Sequence, residues 1–277
     1  MTALTWHTEP LMYDFMVRAL VTTCIAAAAC ALLSCWLVLI GWSLMGDAVS
    51  HAVLPGVVIA YIVGAPFAVG AIIAGFFAVG LIGCVQGTNR VKEDAAIGIV
   101  FTTLFSIGLV LISITPSQTN LTHIVFGNVL GVSSLDLLQV VVLAAVVIGV
   151  LLLRRRDLVL YAFDPGHAHA IGLSPRRLGA LLLALLALTS VVALQVVGVV
   201  LIVAMLIIPG ATARLLTDSF GRILVIAPLL AIACSALGLY ISFWADASPG
   251  GLVVLCQAGA FVLALLAGLR RRRSRRV

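Results

Sequence analysis

Long apolar runs, separated by short clusters of charge, organise this chain. Charge-free stretches cover residues 19–46, 48–89, 95–135, 137–153, 178–213, 223–245 and 247–269. A helix rising about 1.5 Å per residue needs about 20 residues to cross the bilayer core, with about 17–25 tolerated. The 48–89 run therefore predicts two crossings broken near Gly64-Ala65-Pro66, and the 178–213 run two crossings broken near Gln195 and Gly198. The 95–135 run predicts one crossing that ends at Pro116-Ser117-Gln118, followed by a polar, glycine-broken interfacial segment from Thr119 to Ser134. The sum is about nine spans, with eight to ten compatible with the same runs. No strand-period alternation is present, which excludes an outer-membrane barrel. Every crossing must then be helical, because lipid offers no partner to an unpaired backbone group. The expected fold class is an all-α polytopic membrane helix bundle.

Composition narrows the class without changing it. Of 277 residues, 63% are hydrophobic and 9% charged, and the mean hydropathy is +1.27. A soluble domain carries about 45–50% apolar and about 25% charged residues, so soluble enzyme, disulfide scaffold, fibre and disordered chain are all excluded. The net charge of +6 belongs to the tail, where Arg270, Arg271, Arg272, Arg273, Arg275 and Arg276 follow an apolar run. Such a tail suits a cytoplasmic anchor on anionic lipid; nothing aromatic or glycine-rich accompanies it, which argues against nucleic acid. With nine spans and the amino terminus outside, Arg90 and Lys92, the Arg154–Arg156 and Arg176–Arg177 clusters, Arg214, Arg222 and the tail all fall on the cytoplasmic side. Cys24, Cys30, Cys35, Cys84, Cys234 and Cys256 lie inside apolar runs without CxxC spacing, as small buried hydrophobes do. Glu9 and Asp14 precede a first apolar run too long for a signal-peptide core. Glycines 70, 75, 80, 83 and 87 of the third span suit close helix approach.

One acid is flanked on both sides by long apolar runs. It lies in Leu44-Met45-Gly46-Asp47-Ala48-Val49-Ser50-His51-Ala52-Val53-Leu54-Pro55-Gly56. Four residues apart, Asp47 and His51 share a helix face. A carboxylate toward the bilayer centre costs at least about 2.5 kcal/mol, so it faces the bundle interior with a partner. Carboxylate oxygen and imidazole nitrogen together suit a divalent transition metal, but two ligands do not close a site. Three uses remain open from the residues alone: a metal path, a hydrogen-bonded pair that joins helices, and a proton relay. Pro55-Gly56 should break the helix just beyond, as where backbone lines a cavity.

The segment Tyr161-Ala162-Phe163-Asp164-Pro165-Gly166-His167-Ala168-His169-Ala170-Ile171-Gly172-Leu173-Ser174-Pro175 is the second informative stretch. Asp164 can cap a helix, Pro165 suits its first position and Gly172 its end, so a helix of about two turns is expected. Ser174-Pro175 starts the next helix by the same device. His167 and His169, two apart, do not share a helical face and are not expected as ligands. Glu93-Asp94 complements the dipole of the fourth span, Pro209-Gly210 predicts a kink, and Asn120-Leu121-Thr122 is a short sequon match.

With these stretches in view, the chain resembles the membrane permease subunits of bacterial ABC importers for manganese, zinc and iron, over roughly residues 14–268. The motifs are Gly46 to Gly56, Glu93-Asp94-Ala95-Ala96-Ile97-Gly98, and Phe126-Gly127-Asn128-Val129-Leu130-Gly131-Val132-Ser133. They continue with Phe163-Asp164-Pro165, Ala168 and Gly172, and with Pro209 and Ala211-Thr212-Ala213-Arg214. The resemblance implies a homodimeric or paired permease, two cytoplasmic ATPase subunits and an extracytoplasmic metal-binding protein. It makes Asp47 and His51 metal contacts, and makes Asp164, Pro165, Ala168 and Gly172 part of a coupling helix that enters the ATPase. Gly210 stands where many relatives have alanine, and Ile40-Gly41-Trp42-Ser43 is neutral where relatives often carry arginine.

The expected organisation is an extracytoplasmic segment 1–14, a permease domain 15–269 with a coupling segment 154–177, and a basic tail 270–277. The expected function is the permease subunit of an ATP-driven importer in the bacterial inner membrane. Its cargo is a divalent metal (manganese ahead of zinc and iron), and no cofactor is permanently bound. The chain has no G-x-x-x-x-G-K-[ST] loop and its only lysine is Lys92, so ATP hydrolysis belongs to other subunits. A proton-coupled secondary transporter would need more intramembrane ionisable groups than Asp47 and His51. A chelate or vitamin permease should lack that pair, and an intramembrane metalloenzyme would need more ligands.

Overall fold

In the computed structural model the described residues are 9–86, 92–115, 131–197 and 199–274. Asn120, Arg90, residues 126–130 of the third motif and the end of the arginine tail lie outside them. After a short 3-10 turn, Glu9–Met12, the helices are α1 (Asp14–Ile40), α2 (Ser43–Ala52), α3 (Leu54–Val63), α4 (Phe67–Gln86), α5 (Glu93–Ile114) and α6 (Ser134–Leu153). They continue with α7 (Arg155–Phe163), α8 (Pro165–Ala170), α9 (Pro175–Val197), α10 (Val199–Leu216), α11 (Phe220–Ala245) and α12 (Pro249–Ser274).

Among the described residues, eight helical stretches are long and apolar enough to cross a membrane, and α2 with α3 forms one of them, Met45–Val63. The segment Leu201–Leu216 is a shorter apolar helix, below the length of the other eight. The breaks fall where local chemistry demands them. The chain turns between α3 and α4 at Gly64-Ala65-Pro66, and the expected break near Gln195 and Gly198 falls partly outside the described residues. Within the second pass the break comes at Val53, two residues before the expected Pro55-Gly56. Pro55 instead sits in the first turn of α3, where its missing N–H costs least. Gly56 has a packing role: a Cβ there would collide with the Gly70 carbonyl of α4, and one on Gly70 with the Gly56 carbonyl. The two backbones therefore touch, as small residues permit within lipid.

The core is built around α1, whose Ala26, Ala27, Cys30, Leu33, Trp36 and Leu37 are buried. It packs on α6, α9, α10 and α11. Where α10 carries Pro209, the Gly210 N–H donates to Ser34 Oγ of α1 at 3.1 Å. A Cβ at Gly210 would meet that same serine, so glycine here serves close packing on α1. By contrast, α4, α5, α6 and α12 leave most of their apolar side chains uncovered, Ile73, Val110 and Leu263 among them.

Candidate functional site

Two regions gather the residues singled out above. The first is α2. Gly41 ends α1 in the left-handed conformation, with its N–H and that of Trp42 both donating to the Leu37 carbonyl. This reverses the chain and starts α2 at Ser43, so that Asp47 and His51 stand one turn apart within the second pass. His51 Nε2 lies 3.2 Å from Asp47 Oδ1, with the two side chains 22% and 35% exposed. The pair is thus neither sealed in the core nor fully turned out.

The other side of α2 is fixed by packing. Ser50 Oγ donates to the Gly46 carbonyl at 2.7 Å and shares a hydrogen bond of 3.3 Å with Ser190 Oγ of α9, both serines buried. Gly46 sits against Leu206 of α10 and Leu186 of α9. With that face committed to the core, Asp47 and His51 are directed away from it. On their side stands α5, whose Phe101 and Phe105 lie 5.2 and 5.3 Å from the His51 ring, centroid to centroid. His51 Nδ1 is buried and has no hydrogen-bond partner among the described residues.

Two ligands bonded to one metal at about 2.1 Å and at right-angle to tetrahedral spacing are separated by about 3.0–3.4 Å. The 3.2 Å between Nε2 and Oδ1 falls in this range, so the pair as it stands fits two adjacent coordination positions. No group of three or more His, Cys, Asp or Glu side chains able to hold a metal exists among the described residues. Among the described residues the donor set stops at two. Phe101, Phe105 and Ser190 carried no signal in the sequence: two phenylalanines and a serine inside apolar helices read as ordinary bundle residues.

The second region is the arginine-flanked segment that holds α8. Asp164 Oδ1 accepts the His167 N–H at 2.9 Å, capping α8, and Pro165 occupies its first position. Gly172 follows with φ +88°, a conformation open to glycine but strained for other residues, and the Leu173 N–H returns to the Ala168 carbonyl at 3.0 Å. Arg177 N–H is directed at Ser174 Oγ where α9 begins. The expected short helix is present as Pro165–Ala170. Ala168 is its one buried side chain, fully enclosed, whereas Asp164, Pro165, His167, His169 and Ile171 are exposed. The helix α7 before it was not separately expected, because Arg154-Arg155-Arg156 resembles a charged loop. Arg154 in fact pairs with Asp157 at 2.9 Å across its first turn. The two regions lie on different elements, the pair on α2 and the capped helix on α8, which packs chiefly on α7 and α9. Of the other motifs, Ser133 and Asp136 form a reciprocal capping box at the start of α6.

The comparisons with known proteins agree with this anatomy. The model of the ABC 3 transport family matches residues 12–268. A "Probable iron transport system membrane protein" of Haemophilus influenzae is 52% identical over 94% of this chain and 96% of its own length. The "Manganese transport system membrane protein MntB" of Synechocystis is 47% identical over 94% of this chain and 85% of its own. Among solved structures, PsaBC from Streptococcus pneumoniae in complex with Fab superposes with a TM-score of 0.87 at 35% identity, covering 94% of this chain and 95% of that one. A match over residues 12–268, together with relatives of this identity, shows that the chain belongs to the ABC 3 transport family.

Proposed function

We propose that this chain is the membrane-spanning subunit of an ATP-driven importer of manganese or ferrous iron, and that Asp47 and His51 contact the cation in transit. Eight membrane-length helices and the family make it a multi-pass protein of the inner membrane. The observation that carries the metal site is the Oδ1–Nε2 pair, 3.2 Å apart and partly open, inside a membrane-spanning helix. An ionisable couple within a membrane span is costly, and such residues typically mark an ion pathway. A mixed oxygen and nitrogen donor set suits manganese and ferrous iron, the two metals that the names of the relatives carry.

Two donors leave the ion's remaining positions to water, to other spans or to another chain. A second permease subunit, whether identical or paired, is the natural source, with the pathway running between the two. Metal would arrive from an extracytoplasmic binding protein, meet Asp47 and His51, and leave inward as the helices rearrange. Separate ATPase subunits would receive α8, whose capped, exposed surface around Asp164, Pro165 and Gly172 offers a rigid knob resting on Ala168. The chain's own contribution is binding and movement, with no bond made or broken.

Metal accumulation by cells carrying Asp47→Ala or His51→Ala, set against the level of permease in their membranes, tests the site. Both variants should insert normally and accumulate no manganese or iron above cells lacking the importer. Undiminished uptake in both overturns the assignment.

A further inference from the structure

We propose that Phe101 and Phe105 of α5 are positioning residues for cargo binding: they clamp the His51 ring so that Nε2 stays turned toward Asp47. This inference rests on the metal-path reading of Asp47 and His51. An imidazole one turn from a carboxylate can swing about its side-chain torsions, and only one orientation gives two donors at coordination spacing. A metal-bound histidine is ordinarily held by its far ring nitrogen, which donates to a carboxylate, carbonyl or water. Here that nitrogen, Nδ1, is buried without such a partner among the described residues, so its orientation has to be held by packing.

The packing is supplied by two rings from one helix. Phe101 and Phe105 stand one turn apart on α5, as Asp47 and His51 do on α2, and their own centroids are 5.9 Å apart at 28°. Phe105 meets the imidazole nearly edge to face at 80°, and Phe101 is tilted at 53°. Such contacts favour defined ring geometries over free rotation. The phenyl groups have no donor atoms and do not touch a ligand position, so they act only through His51. Because α5 is a separate pass packed on α2, α3 and α4, a shift of α5 would loosen the imidazole without moving Asp47.

The test measures manganese uptake against concentration in cells that carry the whole importer. Phe101→Leu and Phe105→Leu should each raise the apparent KM about fivefold or more, with Vmax per permease in the membrane within about twofold of wild type. Phe105→Tyr, which keeps the ring, should return KM to within about twofold, and Phe76→Leu on α4 should leave it unchanged. Unchanged KM in both leucine variants, or a fall in Vmax alone, overturns the clamp. Phe101→Met and Phe105→Met give the same readout if a leucine variant fails to reach the membrane. Wild-type KM in the phenylalanine variants while Asp47→Ala and His51→Ala abolish uptake overturns the clamp alone. Undiminished uptake in those alanine variants overturns the site on which it rests.

Discussion

The membrane pair and the cytoplasmic helix are held in opposite ways. Asp47 and His51 gain their geometry from tertiary packing: Ser190 and Leu206 fix the back of α2, and Phe101 and Phe105 press on the front. The short helix α8 gains its geometry from its own sequence, through the Asp164 cap, Pro165 at the first position and Gly172 at φ +88°, with Ala168 as its one buried contact. A site that must grip and let go of an ion is set by neighbours that can move. If α8 is the coupling element proposed above, its local framework lets its shape survive while those neighbours move.

The contrast can be broken at either end. The largest effect is expected at the membrane pair: Asp47→Ala or His51→Ala removes one of two donors and should eliminate metal accumulation, while basal ATPase activity of the assembled complex persists. Next comes Gly172→Val. Forcing a branched residue to positive φ costs about 1–2 kcal/mol, and metal-stimulated ATPase activity should fall several-fold with metal binding intact. Full stimulation in that variant would remove α8 from the coupling path. Asp164→Ala sacrifices a cap worth about 1 kcal/mol. It should lower stimulated ATPase activity more mildly, and Asp164→Asn, which can still accept the His167 N–H, should recover it. Smallest is Ser50→Ala. An interhelical hydrogen bond within a membrane is worth about 0.6 kcal/mol on average, so this variant should lower the melting temperature slightly and leave uptake near wild type.

What the sequence reveals follows the same division. Features written in consecutive residues were legible: the Gly64–Pro66 turn, the capped helix after Asp164 and the Asp47–His51 spacing all depend on atoms within one or two turns. Features made by residues distant in the chain were not. Phe101 lies 50 positions from His51, and an apolar helix in lipid gives no sign of which phenylalanine faces a partner. Gly56 looked like a helix break because it follows proline, yet its place is set by Gly70 on the next pass. Gly210 looked like part of a kink with Pro209, yet Ser34 of α1 fills the space a side chain would need.

The Gly56–Gly70 contact has a mechanical consequence. Two main chains pressed together have no side chains between them to deform, so α3 and α4 behave as one stiff lever hinged at its ends. One end is the Gly64-Ala65-Pro66 turn, and the other is the Val53 joint, two residues from His51. Displacement of the turn would reach the imidazole with little lost on the way, linking movement at the end of the span to the ion's grip within it.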